Sequence, residues 1–91
     1  MSIKPLFLAN LSFAVFCAPA FADAVKVVAA ENFYGDVANQ IGRGNIAVTS
    51  ILTNPDVDPH LFEASTETAS ALANANVVVA NGAGYDNWME D

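Results

Sequence analysis

VKVVAAENFYGDVANQIGRGNIAVTSIL, Val25 to Leu52, is the stretch whose reading decides the fold. It opens on Val25 to Ala30, a short apolar and β-branched run of strand type. Asn32 is placed to cap a helix, in which Phe33, Val37 and Ile41 recur at i, i+4 and i+8 on one apolar face. Gly42 suits the left-handed residue that ends a helix, and Asn45 to Leu52 forms a second strand run. Both strands lack polar alternation, which predicts parallel strands covered on both faces.

The same alternation of elements continues downstream. Thr53 to Pro59 reads as a loop, because Pro55 and Pro59 cannot join a central ladder. Ser65 caps a helix predicted over Thr66 to Asn74, with Glu67 in its first turn and a narrow stripe of Ala69, Leu72 and Ala73. Val77 to Ala80 is the third strand, closed by Asn81-Gly82-Ala83-Gly84. The fold class is therefore α/β, a parallel β-α-β-α-β unit with right-handed crossovers. Tyr85 to Asp91 reads as the opening of a further helix, whose Trp88 and Met89 need something to pack on. A three-stranded sheet that stops mid-element is expected to be the front part of a longer protein.

The first 22 residues belong to a different kind of segment. Lys4 gives a short positive region, Leu6 to Phe16 an apolar stretch, and Ala20-Phe21-Ala22 a small-x-small cleavage pattern, so residues 1–22 are expected to be a signal peptide removed before Asp23. Pro5, Asn10, Ser12 and Pro19 leave too little for a membrane-spanning helix, which takes about 20 apolar residues. Cys17 leaves with the signal; Phe16 before it is too large for lipoprotein processing. The exported chain would then hold no cysteine, which excludes thiolate metal sites, thiol redox chemistry and cysteine nucleophiles.

Over 91 residues the net charge is −7; residues 23–91 carry Lys26 and Arg43 against ten carboxylates, a net −8. That balance argues against nucleic acid and against stable association with anionic membranes. A chain of about 60 residues without disulfides buries only about 60% of its unfolded surface, so these residues alone are marginal as a domain.

In doubly wound sheets ligands sit at the carboxyl ends of the strands. Three loops qualify here: Glu31-Asn32, Thr53 to Ala64, and Asn81 to Asp86. His60, the single histidine, lies in the longest of them. Imidazole is a common metal ligand, and Pro59 stiffens its approach. From context alone the plainer reading is a turn histidine, since zinc takes three or four protein ligands. Asp56 and Asp58 form a D-x-D that lacks the donors and glycine of a calcium loop, so they read as turn formers. Glu63 is placed to orient the imidazole or simply to face solvent. Gly82-Ala83-Gly84 lacks the third glycine of a dinucleotide fingerprint and follows the wrong strand. Hydrolytic catalysis lacks a nucleophile motif around the one histidine, so no catalytic residue and no organic cofactor is assigned. Tyr34, Tyr85 and Trp88 would serve either core packing or stacking on a sugar.

AENFYGDVANQIG, then VTSIL with DPHLFEAS, then ANVVVANGAGYDNWM resemble the zinc/manganese solute-binding receptors of bacterial metal ABC importers (the cluster A-I type), in order across residues 25–89. The resemblance implies a periplasmic, two-lobed receptor that captures a divalent metal without reaction, zinc ahead of manganese, and delivers it to the importer's membrane permease. His60 matches the first histidine ligand of that family. The remaining ligands would lie beyond Asp91, and residues 23–91 would be a partial N-terminal lobe. The competing readings are an exported flavodoxin-like α/β enzyme or sugar-binding domain, and a non-functional remnant. Further histidines downstream favour the receptor, whereas a nucleophile or an aromatic cleft favours the first alternative.

Overall fold

The computed structural model describes residues 23–91. The expected signal segment, with Cys17, falls outside them. Three parallel strands, β1 (Val25–Glu31), β2 (Ile46–Leu52) and β3 (Val77–Val79), form one sheet in the order β2-β1-β3. Helix α1 (Asn32–Gly42) connects β1 to β2, and α2 (Thr66–Ala73) connects β2 to β3. The β-α-β-α-β order and the parallel pairing are those the hydrophobic runs predict. Val25 lies opposite Ile46 and Glu31 opposite Leu52, while Val27 to Ala29 pair with Val77 to Val79. In a parallel sheet all strand ends point one way, so Glu31, Leu52 and Val79 feed their loops into a common edge.

Burial is concentrated in the central strand. Val27, Val28, Ala29 and Ala30 are all buried, because a neighbour strand flanks each side and helices lie over the sheet. Coverage of both faces holds for β1 only, since Val77 and Val78 of the edge strand stay nearly half exposed. Toward the carboxyl edge, Ala30, Leu52 and Trp88 form a core joined by Ile51, Phe62 and Met89. Each large apolar side chain fully buried there contributes on the order of 1.5–3 kcal/mol.

Three expectations about the first helix are revised. The face of α1 turned to the sheet is not Phe33, Val37 and Ile41, which are 50%, 52% and 78% exposed. Gly35 is buried instead, and a Cβ there would collide with the Ser50 hydroxyl and crowd Val48. The missing side chain lets the helix backbone lie directly on β2, which turns the larger residues away. At the helix end, Gly42 has right-handed φ of −81° while Arg43 takes the positive φ of 55°. Gly42 is required for space rather than for handedness: a Cβ on it would meet the Ile46 side chain. At the helix start the cap position falls on Glu31, and Asn32, already in the helix, donates from Nδ2 to the Thr53 carbonyl at 3.4 Å.

In α2 the Ser65 cap forms as predicted, its Oγ accepting from the Thr68 amide at 3.2 Å. The inward residues are buried Thr68 with half-buried Ala71 and Leu72, at i, i+3 and i+4, so Ala69 and Ala73 face outward. After β3 the chain forms a single 3-10 turn, Asn87–Met89, in place of an opening helix, and Trp88 drops into the core. No helix among the described residues is long and apolar enough to cross a membrane.

Candidate metal centre

His60 sits in a 3-10 turn, Pro59–Leu61, at the carboxyl edge of β2. The sequence builds this turn in two stages. Asn54 first folds the loop back, its Oδ1 accepting from the Asp56 amide at 2.9 Å and its carbonyl from the Val57 amide at 3.1 Å. Asp58 then caps the 3-10 turn, its Oδ1 accepting from the His60 amide at 2.9 Å. Pro at the first position of the turn gives up no amide that the turn would use.

The same Asp58 oxygen lies 2.7 Å from Nδ1 of His60. This contact decides what the imidazole can do. With its Nδ1–H donated to a carboxylate, the ring presents the Nε2 lone pair outward, which is the tautomer a metal needs. The His60 side chain is 57% exposed at this edge. The hydrogen bonds from the His60 ring and amide hold the Asp58 carboxyl below the ordinary carboxylate range. The orienting carboxylate is thus Asp58, read from sequence as a turn former, and Glu63 is exposed with no bond to the ring. Asp56 remains an exposed turn residue.

The loop after β3 supports this turn from beneath. Gly82, Ala83 and Gly84 take positive φ of 77°, 56° and 80°, which coils the chain tightly. The coil lets Asp86 accept from the Asn81 amide at 2.7 Å and the Gly82 amide at 2.8 Å. These are donors a nucleotide phosphate would require, so the dinucleotide reading fails on occupancy as well as on spacing. Tyr85 meets His60 edge-on with ring centroids 5.0 Å apart. Trp88 packs edge-on against Phe62 at 4.6 Å and donates Nε1–H to the Pro59 carbonyl at 3.0 Å. Trp88 is therefore a buried strut, not a stacking platform, and the Tyr34 hydroxyl is bonded to Asn81.

Sequence reasoning missed the deepest feature of this edge. Glu31, the last residue of the central strand, is only 2% exposed, and neither carboxyl oxygen has a hydrogen-bond donor among the described residues. It faces Asp86, itself 1% exposed. Burial first, then the negative charge of Asp86, push the Glu31 carboxyl up from 4.5 to about 7. Glu31 also lines a hollow of about 180 Å³ walled by Asn32, Phe33, Asn54, Pro59 and Tyr85. The signal available in the sequence was position: a carboxylate ending the most apolar strand. A larger hollow of about 640 Å³, lined by Thr49, Ser50, Phe62 and residues of α2, contains neither His60 nor Glu31. Among the described residues, no three His, Cys, Asp or Glu side chains converge on one metal position.

Fold and edge together define the class: an α/β unit with a parallel sheet whose polar groups gather at the carboxyl ends of its strands. The sequence profile of the family described as "Zinc-uptake complex component A periplasmic" matches residues 27–91. The manganese-binding lipoprotein MntA of Bacillus subtilis is 37% identical over 67 residues, covering 74% of this chain and 22% of that protein. The solved structure of the periplasmic zinc binding protein TroA from Treponema pallidum superposes with a TM-score of 0.66 at 29% identity, over 72% of this chain and 24% of that one. The chain belongs to this family of metal solute-binding receptors. It spans about a quarter of the length of the relatives it matches.

Proposed function

We propose that this chain forms part of the N-terminal lobe of an extracytoplasmic receptor that captures a divalent transition metal, with His60 as one ligand through Nε2. The observation that carries the reading is the Asp58 to Nδ1 contact of 2.7 Å on a largely exposed ring, which supports Nε2 as the nitrogen offered to a metal at the sheet's ligand edge. Family membership supports the metal as cargo. The related proteins named for zinc and for manganese leave both ions in play, and an imidazole ligand favours zinc over the all-oxygen sites that suit manganese. The loaded receptor would hand the ion to the permease of an ABC-type importer after export by residues 1–22.

Capture involves no bond-breaking step, so no residue is assigned a catalytic role. Its pH response follows from the ligand: protons compete with the metal for imidazole, so affinity falls in acid. Calorimetric titration of the full-length protein with zinc tests the assignment. His60→Ala is expected to weaken binding by at least tenfold, as loss of a first ligand outweighs the 10–100-fold cost of losing an outer partner. Unchanged affinity in that variant would remove His60 from the site.

A further inference from the structure

Two buried carboxyls meet behind His60, and the proposed function uses neither. Glu31 ends β1 with both oxygens lacking a donor among the described residues, while Asp86 accepts from the amides of Asn81 and Gly82. Two carboxylates cannot bond one another, but a carboxylic acid donates to a carboxylate. A proton on Glu31 therefore satisfies the otherwise orphaned group and ties the end of the central strand to the Asn81–Asp86 coil. That coil carries Tyr85, which braces the His60 ring, and leads directly into Trp88, which holds the Pro59 carbonyl.

We propose that Glu31, protonated and hydrogen-bonded to Asp86, is a positioning residue for His60, clamping the loop whose Tyr85 and Trp88 hold the histidine turn in place. The inference rests on the reading of His60 as a metal ligand. The titratable groups facing Glu31 are Asp86 and Tyr85 from the loop after β3, while Tyr34 of α1 and Asp58 of the loop after β2 add to the charge around Tyr85. None is a cation. Lys26 is the second residue of β1 and Arg43 follows the far end of α1, so the Lys and Arg side chains among the described residues lie at the opposite edge of the sheet. No cation among the described residues faces Glu31 to compensate it if its proton leaves. Ionisation then sets two buried negative charges against each other, and the clamp opens as the solution becomes alkaline.

The consequence is a second limb in the metal-binding profile, on the alkaline side, independent of imidazole protonation. Zinc affinity of the full-length protein is measured by calorimetry from neutral to about pH 8.5, alongside the amide resonance of Gly82 in the metal-free protein. Wild type is expected to lose about tenfold in affinity across that range, the low end of what outer partners of a ligand contribute. The Gly82 amide, which donates to Asp86, is expected to shift with the same midpoint. Glu31→Gln keeps a donor toward Asp86 at every pH, so its affinity and its Gly82 resonance should stay flat over this interval. Asp86→Asn removes the like charge and should move the Gly82 transition to lower pH. Matching alkaline profiles for wild type and Glu31→Gln, or a Gly82 resonance that does not titrate, overturns the proposal. Zinc affinity unaffected by His60→Ala instead overturns the ligand assignment, and with it the role claimed for Glu31, whatever the Gly82 resonance does.

Discussion

Removing the charge from Glu31 should make the protein more stable near neutrality, against the usual expectation for a buried polar residue. The Glu31 carboxyl is pushed up from 4.5 to about 7 by burial and by Asp86. The folded state therefore binds its proton more tightly than the unfolded chain does, so stability falls as pH rises through this interval and is lowest above the folded value. A shift of that size corresponds to about 3 kcal/mol, since each pKa unit is worth about 1.4 kcal/mol. The exposed Asp58 carboxyl, with its lowered value, pushes the opposite way, so wild type alone would not isolate the effect. Comparison with Glu31→Gln does, because every other group is common to both proteins. Urea denaturation at about pH 4 and about pH 8 is the assay. The stability of Glu31→Gln relative to wild type should rise by about 3 kcal/mol between the two, with roughly half of the change complete by pH 6. A difference that stays constant with pH would refute the reasoning, because it would mean Glu31 titrates alike in folded and unfolded chains.

Other consequences are simpler to read. Gly35→Val places a branched side chain against Ser50 and Val48, where even a Cβ does not fit, and should destabilise by about 1–3 kcal/mol in thermal or urea unfolding; Ser50→Gly in the same background should recover part of that loss, and no recovery would count against the close approach. Asp58→Ala frees Nδ1 and the turn cap together, so zinc affinity in calorimetry should drop about 10–100-fold while the fold persists by circular dichroism. An unchanged affinity in that variant would show that the imidazole needs no orienting carboxylate.

The parts of the fold legible in the sequence are those set by local pattern. Val25 to Ala30 and Asn45 to Leu52 declare strands within a residue of their observed limits, because β-branched apolar runs bounded by polar turns have few other uses. Ser65 declares the start of α2 for an equally local reason, the bond from its hydroxyl to the Thr68 amide. What stayed hidden depends on approach between distant segments. Spacing placed Phe33, Val37 and Ile41 on one face of α1, correctly, but could not say that Gly35 on the opposite face would win the contact with β2. Periodicity reports that a face exists; which face meets the sheet depends on how close the backbones come. The site divides in the same way. The position of His60 at the sheet's ligand edge was legible from its strand-end loop, while its proposed role as a ligand came from the family resemblance. Its partnership with Asp58 was obscured because turn formation and ring orientation use the same carboxylate oxygen. Glu31 and Asp86, 55 positions apart in the chain, become neighbours only once the sheet has formed.

Metal capture at this edge depends on which nitrogen of His60 is free. Nitrogen-15 resonances of the His60 ring, recorded on the full-length protein before and after one equivalent of zinc, address that directly. The account predicts that Nε2 moves to the position of a metal-bound nitrogen while Nδ1 keeps its proton and its bond to Asp58. A spectrum in which Nδ1 carries the metal, or in which the ring does not respond to zinc at all, would contradict it.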